Sequence, residues 1–436
     1  MTQMTQIKRL LICVICVICG SRTSVAQIKR PFLICVICVI CGSGTSASSQ
    51  WPQFRGPDGQ GHSSESALPL EWSETKNIKW KTPLPGLGWS SPVVAGGRVW
   101  ITTAIDKKGI SLHAMAFDAS TGEVVVDSEV FKIGGDREIN PKNSWASPTP
   151  ILDGDLVFVH YGADGTAALT TDGKIVWKNK YEYQSQHGAG GSPIVYGDLL
   201  IFSCDGSDNA FVIALDKKTG KTKWKTFRRT PYDQAYTTPL IIRVGDKDQL
   251  LSVGAFRAAA YDPLTGKEIW RVSYADGFSN VPRPVFGNGL VFIATGFQEP
   301  SIIAVRTDGT GDVTRTHVAW TLKRGAPLTP SPILVGSELY VVNDGGILTC
   351  LDAASGTIIW QQRLGGTYSA SPVFADGRIY FLAEQGVTTV IAPGKEFRKL
   401  AANPLDGGLL ASMAVSGGSL FVRTDSHLYR IAERLP

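Results

Sequence analysis

From residue 77 onward the chain alternates short apolar runs with turn residues, always in the same order. Pro92 to Ala95 is a short run closed by Gly96-Gly97, and Arg98 to Ala104 is a longer, β-branched one. Ser111 to Phe117 and Glu123 to Val130 follow, separated by a turn at Ala119 to Gly122. β-Branched runs bounded by Gly, Asn and Asp are strands joined by tight hairpins. The pattern predicts a four-stranded antiparallel sheet as the repeating unit, and no stretch after residue 50 carries helical periodicity.

The unit recurs along the chain. Copies open at Ser91-Pro92, Ser147-Pro148, Ser192-Pro193, Thr238-Pro239, Arg283-Pro284, Ser331-Pro332 and Ser371-Pro372, spaced 56, 45, 46, 45, 48 and 40 residues apart. A period of roughly 40–50 residues built from strands predicts a β-propeller. An eighth unit, Leu410 to Tyr429, holds only three strands. Its missing strand is supplied by Asn77 to Lys81, whose Ile78-Lys79-Trp80-Lys81 matches the closing run Ile175-Val176-Trp177-Lys178. Pairing the first strand with the last unit removes two sheet edges. The expected organisation is a signal region at 1–47, an arm at 48–76 and an all-β, eight-bladed propeller of four-stranded antiparallel blades at 77–436.

Several units close on Asp-x-x-(Thr/Ser)-Gly followed by Trp: Asp216 to Trp224, Asp262 to Trp270 and Asp352 to Trp360. This ending resembles the repeat of the pyrroloquinoline-quinone-like (PQQ-like) propellers. The opening Trp51-Pro-Gln-Phe-Arg-Gly-Pro-Asp-Gly59 is similar to the start of many secreted bacterial members. The resemblance covers about residues 51–436 and implies the fold. It also implies two activities, because the family holds both quinoprotein dehydrogenases and non-enzymatic propellers of the BamB-like outer-membrane assembly type.

The first 50 residues read differently. Lys8-Arg9, an apolar run Leu10 to Cys19 and a small-residue stretch to Ala26 form a signal-like cassette, and Lys29-Arg30 to Ala47 repeats it. Each apolar core is about 10 residues, too short to span a bilayer of about 30 Å and right for a signal peptide. A tandem-duplicated signal peptide, cleaved near Ala47, predicts export to the periplasm or beyond. Cys13, Cys16, Cys19, Cys35, Cys38 and Cys41 space like metal ligands, but they are filled only by Val and Ile inside this leader. Cys204 and Cys350 fall in different blades, too far apart to pair.

Charge narrows the partners. The formal net charge is +5, and residues 1–50 hold Lys8, Arg9, Arg22, Lys29 and Arg30 with no acid. The remaining chain is therefore close to neutral, which argues against nucleic acid as a partner. A protein or polymer in the envelope is expected instead, bound by a monomer with no transmembrane segment.

The recurrent Trp80, Trp177, Trp224, Trp270, Trp320 and Trp360 sit at one fixed place in the repeat and are expected to lock blade to blade. The loops before each first strand converge on the axis of a propeller. They offer Trp89, Asn143, Trp145, Gln186, His187, Tyr236, Asn280, Arg283, Thr329, Tyr368 and Ser412. These residues suit a small-ligand or peptide pocket, and would equally serve as a plug of packed side chains. Among them His187 is the best placed by type for proton transfer or metal ligation. No nucleophile elbow, phosphate loop or His-Glu-x-x-His is present, and no metal site is expected. The preferred reading is a non-catalytic scaffold. The alternative is a quinoprotein dehydrogenase using PQQ and Ca²⁺ on an alcohol or sugar, against which stands the lack of any adjacent Cys pair.

Overall fold

The computed structural model describes residues 50–106, 110–134, 139–228, 234–275 and 277–433. The expected signal region, with its duplicated cassette and six cysteines, lies outside the described residues. The rest is a ring of eight antiparallel blades, as the repeat predicts. Blade 1 comprises Val93–Ala95, Arg98–Asp106, Ile110–Asp118 and Val124–Ile133. Blades 2 to 7 follow over 151–179, 194–227, 240–273, 285–322, 333–363 and 373–404. Blade 8 is Ala414–Ser416, Ser419–Arg423 and His427–Ile431, completed by Ile78–Pro83 pairing antiparallel with His427–Ile431. The N-terminal strand thus closes the ring. Helix among the described residues amounts to one 3₁₀ turn, Gly162–Asp164.

Burial follows position within a blade. The middle strands are covered on both faces, so Leu199–Asp205 and Ala210–Asp216 are almost wholly buried and strongly apolar. The outer strand Thr222–Phe227 has one inward-facing tryptophan, Trp224, among exposed neighbours. Both faces of a blade pack on its neighbours, which is why no blade is expected to hold its core alone. Cys204 and Cys350 are buried free thiols within these strands.

The tryptophan lock has a definite geometry. The Trp80 indole Nε1 donates to Ala119 O at 3.1 Å, Trp177 to Lys217 O at 3.0 Å and Trp224 to Pro263 O at 3.1 Å. Trp320 donates to Ala353 O and Trp360 to Gly394 O, each at 3.0 Å. Each acceptor lies in the next blade. The indole also lies flat on the turn glycine: a Cβ on Gly122, Gly220, Gly266 or Gly356 would stand 2.4–2.7 Å from the facing ring. These glycines adopt φ of +70° to +77° as well, so both the close approach and the backbone require glycine there. The turn itself is held by its aspartate, as where Asp216 accepts from the backbone of Lys218 and Thr219.

Trp270 departs from the expected role. It is fully buried and donates to Gln249 Oε1 of its own blade at 2.9 Å. The cause lies in blade 5, where a longer loop replaces the usual turn. Its Gly311–Asp312 pairs in parallel with Trp270 and Arg271, adding a fifth strand to the edge of blade 4 and covering the indole.

Candidate functional site

Around the axis, a hydroxyl residue, followed by proline in every case but Ser412, leads into the innermost strand of seven blades. The backbone N–H of each donates to the side-chain oxygen of the next: Ser91 to Thr149 (3.0 Å), Thr149 to Ser192 (2.9 Å) and Ser192 to Thr238 (2.9 Å). The chain of bonds resumes at Arg283 to Ser331 (2.9 Å), Ser331 to Ser371 (3.0 Å), Ser371 to Ser412 (2.8 Å) and Ser412 back to Ser91 (3.1 Å). Seven hydroxyls therefore form a crown at the inner ends of the blades, all buried. In blade 2 the member is Thr149, two residues beyond the Ser147 expected from the repeat. The doublet Ser147-Pro148-Thr149-Pro150 carries the signal twice, and only the hydrogen-bond register chooses between them.

The eighth position is Arg283. Without a hydroxyl there, the ring of bonds is broken between Thr238 and Arg283. The guanidinium turns beneath the crown, donating twice to Pro239 O, at 3.0 Å and 2.7 Å, and to Phe54 O at 2.7 Å. Phe54 belongs to the arm, which closes one end of the channel. Trp51 pairs with Val94 in blade 1, Leu152 of blade 2 donates to Pro52 O, and Gln60 Oε1 accepts from Phe286 N of blade 5. Arg55 reaches Pro332 O and Gly61 pairs with Phe374. A Cβ on Gly59 would stand 2.5 Å from the Arg283 guanidinium, and its φ is +69°, so the arm passes only as glycine.

Above the crown lies a pocket of about 280 Å³, with Phe54 in its floor. Of the eleven candidates, Trp89, Asn143, His187, Tyr236, Thr329 and Ser412 line it. Trp89 donates to Lys142 O at 3.0 Å, and the Asn143 amide clamps His187 O and Ala189 O at 2.6 Å and 3.0 Å. His187 lies 6.0 Å from the Tyr236 ring, centroid to centroid. Thr329 is held by Asp344. Trp145 and Gln186 line a neighbouring cleft of about 440 Å³ between blades 2 and 3. Asn280, Arg283 and Tyr368 are buried behind the walls and do not face the pocket. Asn280 carries its backbone carbonyl to Tyr236 N (2.6 Å) and so positions that ring from behind.

Sequence reasoning missed Phe54, Lys142 and six of the seven crown hydroxyls. The signal for the crown is present in the sequence as the hydroxyl before an opening proline in six blades, with Arg283 lacking the hydroxyl and Ser412, which precedes Met413, lacking the proline. By itself it marks only the repeat.

Calcium with a tricarboxylate quinone does not fit this donor set. Ca²⁺ takes about six to eight oxygen ligands, commonly including carboxylates, and no carboxylate lines the pocket among the described residues. Among the described residues Lys142 is the one full cation in the wall, and it already pairs with Glu384 at 2.7 Å. Nor is any pocket hydroxyl hydrogen-bonded to a histidine among the described residues, so no activated nucleophile is assembled.

A family model described as outer membrane protein assembly factor BamB matches residues 114–362 and 310–396. The assembly factor BamB of Burkholderia pseudomallei is 27% identical over 290 residues, covering 63% of this chain and 58% of that protein. A quinoprotein ethanol dehydrogenase of Pseudomonas aeruginosa is 29% identical over 164 residues, covering 35% of this chain and 24% of the enzyme. This chain thus spans less than two thirds of the length of either relative. Among solved structures, BamB of Moraxella catarrhalis aligns at a TM-score of 0.57 with 13% identity, over 81% of this chain and 99% of that one. The quinohemoprotein alcohol dehydrogenase of Comamonas testosteroni aligns at 0.64 with 12% identity, over 89% and 81%. At these identities the two structures share the fold alone.

Proposed function

Because the chain belongs to the family of the outer membrane protein assembly factor BamB, we propose that it is a non-catalytic, exported scaffold that binds an envelope polypeptide at the open face of its pocket. It acts as a monomer, and the duplicated leader delivers it across the inner membrane. One observation supports this reading above the others. The pocket is blind, sealed by its own N-terminal arm, and walled by hydroxyls and aromatic rings, with neither a metal-ligating carboxylate nor an activated nucleophile among the described residues. Such a cavity suits recognition better than chemistry.

Site-specific photocrosslinking tests it. A probe in place of Trp89 should capture an envelope polypeptide in cells, whereas the same probe at Lys218, on an exposed outer turn, should not. Equal capture at both sites, or none at Trp89, would remove the pocket from the proposal. The likeness to a quinoprotein ethanol dehydrogenase favours a second reading. Saturable binding of pyrroloquinoline quinone with Ca²⁺, together with alcohol-dependent dye reduction, would install it.

A further inference from the structure

The crown has a polarity. Each of its seven oxygens accepts one backbone N–H, which spends a lone pair and leaves the hydroxyl proton to be placed. Only Ser371 places its proton on the protein, giving it to Ser331 Oγ at 2.9 Å. The other six, on Ser91, Thr149, Ser192, Thr238, Ser331 and Ser412, have no acceptor among the described residues. All six residues are at most 4% exposed, and all line the pocket. Buried donors without acceptors are costly, and their cost falls when a ligand supplies the lone pairs. A hydroxyl that already accepts a bond is also a better donor.

Charge beneath the floor points the same way. Arg283 and Arg55 lie in the sealed part of the channel, both fully buried and held by carbonyl oxygens. Burial pushes each guanidinium down to about 9, still protonated at neutral pH. The carboxylate that offsets them is Asp58, which also pairs with His62 at 2.8 Å. Two Arg55 nitrogens, Nε and Nη1, have no partner. At the rim stands Lys142. Two buried guanidinium groups below, inward O–H donors and no carboxylate in the lining among the described residues make a field for one negative charge, while Lys142 at the mouth is shared with Glu384.

We propose that the pocket is a receptor for a single carboxylate carried on an apolar stem, the carboxylate seated on the crown over Phe54 and the stem between Trp89 and Tyr236. This deepens the scaffold reading by naming the ligand chemistry, and it rests on that reading for the source of the carboxylate. The group comes either from a small organic acid or from the C-terminus of a polypeptide, since a blind pocket admits a chain end and not a chain passing through.

Calorimetric titration of the purified protein separates the cases. The probes are phenylacetate against phenylacetamide, and a seven-residue peptide with a free C-terminus against the same peptide amidated. The acid of at least one pair should bind at least about ten-fold more tightly than its neutral twin, and Lys142→Gln should weaken that acid several-fold without moving the urea midpoint. Thr149→Ser, which keeps the donor, should bind as the parent does. Binding by phenylacetate alone supports the carboxylate site and overturns the polypeptide source. Binding by both peptides equally keeps the scaffold and overturns the carboxylate. Failure of all four probes overturns the inference while leaving the photocrosslinking test of the scaffold intact.

Discussion

The outer rim and the axis of this ring solve the same problem, joining one blade to the next, with opposite materials. At the rim a large indole lies on a glycine turn and donates one hydrogen bond to it. Most of that contact is apolar area removed from water. At the axis there is no room for such a residue, because eight strands converge. Small hydroxyls meet there instead, each taking a backbone N–H that would otherwise be buried without a partner. The rim is strong and inert. The axis is satisfied only in its acceptors and leaves a set of donors facing the cavity. Function is expected where a repeat closes its backbone bonds without exhausting its side chains.

The largest effect should come from the rim. Trp224→Ala removes an indole only 9% exposed, its bond to Pro263 O and its contact on Gly266. A loss of about 3–5 kcal/mol is expected from urea denaturation, with the pocket's ligand binding unchanged in the folded fraction. A loss below about 1 kcal/mol would mean that the rim locks are ornamental. The crown should cost less. Thr149→Val keeps the shape but leaves Ser91 N–H unpaired, an expected loss of about 1–3 kcal/mol. Its distinguishing mark is that binding at the pocket weakens as well. If Thr149→Val and Trp224→Ala affected stability and binding in the same proportion, the division of labour between rim and axis would be lost.

The arm provides a third cut. Gly59→Ala puts a methyl group against the Arg283 guanidinium at a left-handed backbone position, at an expected cost of about 1–2 kcal/mol. The cost should be local. Proteolysis within residues 51–63 should accelerate while the eight blades remain intact. Unchanged cleavage there would show that the arm does not depend on this close approach.

These differences also explain what could be read in the chain. The blades, their number and the closing strand at Ile78–Pro83 are written in local signals, strand periodicity and turn glycines, which repeat often enough to reinforce one another. Five of the six tryptophans follow from that repetition. Trp270 does not, because its environment is set by an insertion in the following blade. The pocket is harder to read. Whether Asn280 or Arg283 faces the cavity or lies behind its wall depends on a rotation of a loop by one or two residues, and no period encodes it. Phe54 was hidden for another reason, since it reaches the axis from an arm that belongs to no blade. Thr149 shows the limit most sharply: two hydroxyl-proline pairs stand side by side, and long-range hydrogen bonding selects one.

The smallest effect concerns acid, and within the locks between blades it falls on the rim and not on the crown. In the turns, the Ser120, Thr219 and Ser355 hydroxyls, helped by nearby backbone N–H groups, bond to Asp118, Asp216 and Asp352 and hold these carboxyls below the usual carboxylate range. A group whose folded pKa is depressed adds stability above its unfolded value of about 3.9 and loses it as pH falls through the folded value. The urea midpoint should therefore decline as pH is lowered from about 4 into the range of these depressed values, and Asp118, Asp216 and Asp352 changed together to Asn should flatten that part of the decline. All three carboxylates are near water, so screening by salt should shrink the effect further. The crown, made of hydroxyls and amides, has nothing to titrate there. Binding of an uncharged pocket ligand measured over the same range should follow only the folded fraction. An acid-sensitive axis together with an acid-insensitive rim would reverse the assignment of the two regions.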